Sequence, residues 1–161
     1  MEALPEEILV LEKEAVVHWS PCGEGKMPIR QWAKPGAEKV VLLHGGSGSW
    51  LHWARNIPAL REQFDVYAID LPGLGDAAMC EVESDAVSAA RVTRIALKQL
   101  LDSAFHVVAF SWGCTVTAMI MKGMTRRLKS VMLTGPAAVG GSPSRVSMKP
   151  LIKRVSGMSL D

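Results

Sequence analysis

The chain has 161 residues, enough for one domain with a substantial core. Hydrophobic residues make up 48% and charged residues 21%, which excludes a disordered chain. Its 18 basic and 16 acidic residues are interspersed and leave a formal charge of +2, so the basic stripe expected of a nucleic-acid binder is absent. The nearest cluster, Arg126, Arg127 and Lys129, reads as the last turn of a helix.

Cys22, Cys80 and Cys114 are widely spaced, with no CxxC and no metal-ligand pattern. They read as free thiols of a reducing compartment, and no metal or cofactor is implied. The acidic start MEALPEEILVLEKEAVV lacks the basic flank and long apolar core of a signal peptide, and no run approaches the ~18 apolar residues of a membrane span. A cytoplasmic protein without membrane partners is the expectation.

In chain order, Ile8–His18 and Met27–Ala33 read as two strands of a hairpin around the turn Pro21-Cys22-Gly23-Glu24-Gly25. These belong to an N-terminal part, 1–38, of the same domain. Val40-Val41-Leu42-Leu43 is a continuous apolar run ended by Gly45-Gly46, which suits a strand buried on both faces. A helical stretch from Trp50 to Gln63, interrupted near Pro58, leads to a second buried strand, Phe64–Asp70. Ser84–Ser103 is the clearest helix, with Ser84 and Asp85 as N-cap candidates and Ala86, Ala90, Thr93, Leu97 and Leu100/Leu101 on one face. Strand Phe105–Phe110, helix Cys114–Arg127 and strand Leu128–Leu133 follow. Alternating strands and helices over 39–138 predict an α/β fold with a mostly parallel sheet. Residues 139–161 read as a tail or the start of a cap region.

Ligands bind beyond the carboxyl ends of strands in such sheets. Three loops of unusual composition fall there: His44–Ser49, Asp70–Gly75 and Ala109-Phe110-Ser111-Trp112-Gly113. The last reads small-x-Ser-x-Gly between a buried strand and a helix, a pattern that presents a serine at a strained apex. The plainer alternative is that Ser111 caps the following helix. After the Val40–Leu43 run, His44-Gly45-Gly46 leaves backbone N–H groups free to stabilise an oxyanion. A phosphate cradle is the other reading of a glycine-rich loop, but neither G-x-x-x-x-G-K-[ST] nor G-x-G-x-x-G is present in register.

Together VVLLHGGSGSWLHW, FDVYAIDLPGLGDA, HVVAFSWGCTVT and LKSVMLTGPA resemble the third to sixth strands of the α/β-hydrolase superfamily, a likeness running from Ile8 to Ala138. It implies Ser111 as nucleophile, the N–H groups of Gly46 and Trp112 as the oxyanion hole, and His44 as a residue that holds the geometry of that loop. Ala109 stands where glycine is commoner. Family members that resemble dehalogenases and epoxide hydrolases use Asp at the elbow, and position 111 is Ser. The implied activity is hydrolysis of an ester, thioester or activated C–C bond through an acyl-enzyme, on a small molecule with an acyl or activated carbonyl group.

The family's triad runs Ser, then Asp or Glu, then His. No histidine follows Ser111, and the chain extends only 28 residues beyond Leu133. The expectation is therefore the first six strands of the fold, truncated before the strands that carry acid and base. His52 is the only stand-in base to weigh, although it matches no family role; His18 and His106 read as structural. The alternative is a non-catalytic fragment or pseudoenzyme that binds a small ligand or a partner. The sequence carries no signal for acyl-chain length or oligomeric state.

Overall fold

The apolar runs become the centre of one sheet. The computed structural model of the chain describes residues 4–80 and 85–136; the expected cap region 139–161 and the cap candidate Ser84 lie outside them. Strands β1 (Val16–Cys22), β2 (Gly25–Trp32), β3 (Glu38–Leu43), β4 (Phe64–Ile69), β5 (Phe105–Phe110) and β6 (Leu128–Thr134) pair in the order β1-β2-β4-β3-β5-β6. β3 runs parallel to β4 and β5, and β5 parallel to β6. β1, β2 and β4 pair antiparallel, with the β1–β2 hairpin turning through Gly23 at φ 53°.

Every residue of the Val40–Leu43 run is buried because the two sides of the pleat face different cores. Val41 and Leu43 join Ile29, Ile69 and Val107 beneath helices α3 (Ala86–Leu100) and α4 (Trp112–Met121). Val40 and Leu42 join Trp32, Trp50, Trp53 and Ile57 on the opposite side. Asp85 caps α3 by accepting from the N–H groups of Val87 and Ser88, and Ala89, Ala90, Thr93, Ala96 and Leu97 form its buried stripe. Trp50–Trp53 forms a 3-10 turn and Ile57–Leu60 a short α2, so the expected break near Pro58 falls at the start of α2. No helix among the described residues is long and apolar enough to cross a membrane.

Two expectations need correction. Residues 8–13 are not strand but the larger part of a helix, α1 (Glu6–Lys13), and the hairpin begins only at Val16. Ile8, Leu11 and Ala15 fall at helical spacing and pack on the tryptophan core, and the Trp32 indole N–H donates to the Leu11 carbonyl at 2.8 Å. Acidic Glu6 and Glu7 in the first turn and Lys13 in the last favour the helix further. The helix after Ser111 starts at Trp112 and ends at Met121, so Arg126 and Arg127 sit in a separate 3-10 turn and Lys129 in β6. Arg127 donates to the Leu101 and Ser103 carbonyls, and Lys129 pairs with Glu38. His18 bonds Gln31, and His106 bridges Ser130 and Glu38, both within the sheet.

Candidate active site

β3 and β5 are neighbours in register, Leu43 beside Ala109, so the loops that leave their carboxyl ends emerge side by side. At the end of β5 the chain must reverse into α4 within one residue. Ser111 absorbs the reversal at φ 50°, ψ −114°, a conformation that costs an L-residue about 1–3 kcal/mol. Its N–H donates to the Thr134 carbonyl of β6 at 3.1 Å. Ser111 takes the N-cap position of α4, but its side chain makes no capping hydrogen bond.

The small residue two positions on has a steric cause. A methyl on Gly113 would lie 2.5 Å from the Leu43 carbonyl oxygen and 2.6 Å from that of His44. Both contacts are backbone of the central strand and its exit, which have little room to yield. Gly113→Ala is expected to destabilise the fold by about 3 kcal/mol. Urea unfolding measures this, and a change below about 1 kcal/mol would mean that α4 shifts freely over β3.

His44 is fully buried. Its Nε2 accepts from the Leu71 N–H at 2.9 Å, which leaves Nδ1 to donate to the Gly45 carbonyl at 2.7 Å. The ring is thus neutral and ties the loop after β3 to the loop after β4. Burial pushes its pKa below 6.5 and His52 adds slightly to the push, while the Gly45 carbonyl and Asp70 oppose it. The unfolded chain takes up the proton first, so the stability this residue contributes is complete above pH ~6.5 and declines as pH falls below it. The slope is at most about 1.4 kcal/mol per pH unit. His44→Gln, which cannot titrate, is expected to flatten that part of the stability–pH curve; an unchanged slope would assign the effect elsewhere.

Gly45 is tightly enclosed. A methyl there would meet the Phe110 ring at 2.9 Å and Ser111 Cβ at 3.1 Å. Its N–H donates to His52 Nδ1 at 3.3 Å, and the His52 ring stands edge-on to Phe110 with centroids 5.7 Å apart. His52 therefore braces the loop. Gly46 is exposed, and a methyl on it would come 3.8 Å from Trp112 Cβ. Gly46 and Trp112 line one cavity of about 280 Å³ together with Pro72, Gly73, Leu74, Met79 and Cys80, the α3 cap Asp85, and Ala89 of α3. A larger, open depression of about 490 Å³ beside Trp19 and Lys26 holds none of these groups.

Asp70 serves the scaffold of the site. It accepts from the N–H of Trp50 at 2.6 Å, from Asp76 N–H at 3.1 Å and from Arg30 Nη1 at 2.9 Å, fixing the segments that flank both loops. Pro72, Gly73 and Leu74 belong to the Asp70–Gly75 loop expected at this end of the sheet, whereas the contribution of Met79 and Cys80 to the cavity wall was not foreseen, because nothing in the residues beside them marks what they face. Among the described residues no group of three His, Cys, Asp or Glu side chains could hold a metal ion.

The sequence model for the alpha/beta hydrolase fold matches residues 39–154. A soluble epoxide hydrolase of Corynebacterium sp. is 40% identical over 77 residues, 48% of this chain and 27% of that protein. 2-Hydroxy-6-oxononadienedioate/2-hydroxy-6-oxononatrienedioate hydrolase 2 of Pseudomonas putida is 28% identical over 157 residues, 91% of this chain and 49% of that protein. Among solved structures, carboxylesterase CesB from Bacillus subtilis superposes with a TM-score of 0.70 at 23% identity, over 82% of this chain and 47% of that one. The chain thus spans less than half the length of these relatives. With six strands in this order and a family match over most of its length, the chain belongs to the alpha/beta hydrolase fold family.

Proposed function

We propose that Ser111 is the nucleophile of a hydrolase site for a small molecule with an acyl or activated carbonyl group: an ester, a thioester or an activated C–C bond. The observation that carries this reading is the backbone of Ser111, held at φ 50° with its side chain uncapped beside Gly45. In this reading Oγ attacks the carbonyl carbon, and the N–H groups of Gly46 and Trp112 receive the developing oxyanion. The tetrahedral intermediate then expels the leaving group, which takes up the Oγ proton, to give an acyl-enzyme that water cleaves. His44, neutral and doubly hydrogen-bonded, holds the oxyanion loop. The names of the Pseudomonas hydrolase and the Bacillus carboxylesterase agree with a carbonyl substrate, whereas Ser at position 111 departs from the Asp elbow that the family resemblance associates with epoxide hydrolases.

Activation of the serine needs a base. No histidine follows Ser111 within the 161 residues, and His52 Nδ1 is engaged by Gly45. That observation favours a second reading for this chain by itself: a scaffold that binds a ligand or partner without turnover. A fluorophosphonate probe distinguishes them. Labelling confined to Ser111 and lost in Ser111→Ala supports the nucleophile; no labelling of a chain that melts cooperatively supports the scaffold.

A further inference from the structure

Cys22 and Cys80 are distant in sequence, but the fold brings them together. Cys22 ends β1, and Cys80 ends the described part of the loop that walls the cavity. The hairpin turn lies flat on that loop. The Ala78 N–H donates to the Lys26 carbonyl at 2.9 Å, and the Cys22 thiol donates to the Ala78 carbonyl at 3.1 Å. A methyl on Gly23 would lie 2.3 Å from the Met79 carbonyl oxygen and 3.6 Å from the Cys80 carbonyl carbon. Cys80 thus lies two residues beyond the carbonyl that the Cys22 thiol reaches, and neither sulfur is in a disulfide. Cys114 is separate: it sits in α4 and donates to the Ala109 carbonyl at 3.3 Å.

The partners differ in access. Cys22 is 1% exposed, whereas Cys80 is half-buried on the cavity wall. Burial, and then negative charge on Cys80 beside it, push the Cys22 thiol up to about 12. An oxidant arriving from solvent therefore meets Cys80 first, with Cys22 buried behind it.

We propose that Cys22 and Cys80 are a redox pair, in which a peroxide oxidises Cys80 and Cys22 closes a disulfide between the hairpin and the cavity wall. The Cys80 sulfur takes one oxygen from the peroxide, giving a sulfenic acid and releasing water or an alcohol. The Cys22 sulfur then attacks the Cys80 sulfur; the S–S bond forms, the S–O bond breaks, and the Cys22 proton leaves with the hydroxyl as a second water. Two electrons pass from the two sulfurs to the peroxide bond, and a dithiol reductant reverses the change. This pairing is independent of any chemistry at Ser111.

The test treats the folded 161-residue chain with a small excess of hydrogen peroxide. Remaining thiols are then alkylated under denaturing conditions and the chain is mapped by non-reducing digestion and mass spectrometry. The expected product is a Cys22–Cys80 linked peptide within one molecule, with Cys114 alkylated, formed equally in Cys114→Ser. In Cys22→Ser, Cys80 is expected to be trapped by dimedone as the sulfenic acid. The proposal is overturned if wild-type Cys80 proceeds to sulfinic acid while Cys22 stays alkylatable, if Cys114 takes part in the bridge, or if bridges form only between molecules. The wild-type map decides by itself, so a variant that fails to fold does not affect the outcome.

Discussion

Replacing Ser111 by Ala is expected to lower kcat/KM for an activated ester by about a million-fold in a product of this gene long enough to supply a carboxylate and a histidine. The same change should leave the melting midpoint nearly unaltered. Alanine removes only Oγ, and the half-buried hydroxyl makes no capping bond whose loss would weaken α4. In the 161-residue chain the expected contrast is much smaller. Without a base the serine stays a weak nucleophile, and an oxyanion hole with binding alone gives about 10³–10⁴ over water. Wild type and Ser111→Ala are expected to differ little at that level. Steady-state turnover of a nitrophenyl ester by the four proteins measures both contrasts. Retention of most activity by the longer Ala variant would remove Ser111 from the mechanism.

Asp70→Ala should be the most damaging change to the scaffold, with a loss of about 4 kcal/mol. Asp70 is fully buried and satisfies three donors at once. One of these is Arg30, whose side chain is 5% exposed and lies over the Trp50 ring at 5.3 Å. Burial works against the Arg30 charge, but Asp76 and Asp70 outweigh it and raise its pKa. Without Asp70, the guanidinium keeps only Asp76 and Glu12, both open to solvent, and the Trp50 N–H loses its acceptor. Asp70→Asn preserves the shape and one acceptor and is expected to lose roughly half as much. Denaturant unfolding at neutral pH gives both values. A loss under about 1 kcal/mol for Asp70→Ala would show that water replaces the carboxylate readily.

The parts of this fold that were legible in sequence are those where local chemistry and tertiary role coincide. Val40–Leu43 is apolar at every position because both faces of β3 are covered, and Ser111-x-Gly113 is small because a carbonyl lies 2.5 Å from where a methyl would be. Ile8–Leu11 misled because Ile, Leu and Val in succession favour a strand. Only packing against Trp32, itself far along the chain, reveals that Leu11 is the buried one and Leu9 and Val10 are exposed. His52 was equally opaque. Its role is set by the approach of Gly45 and Phe110, and neither contact has a signature in the residues beside it.

The order β4-β3-β5 places the two site loops on adjacent strands that are far apart in sequence. Between them the chain must build β4 and α3 before β5 can dock against β3. The juxtaposition of Gly45 and Ser111 is thus a long-range contact that forms only when the middle of the sheet closes, late in folding by loop-closure cost. No local fragment can hold it, and fraying at α1 or the outer hairpin leaves it untouched. The site and the folded state of the central sheet appear and disappear together.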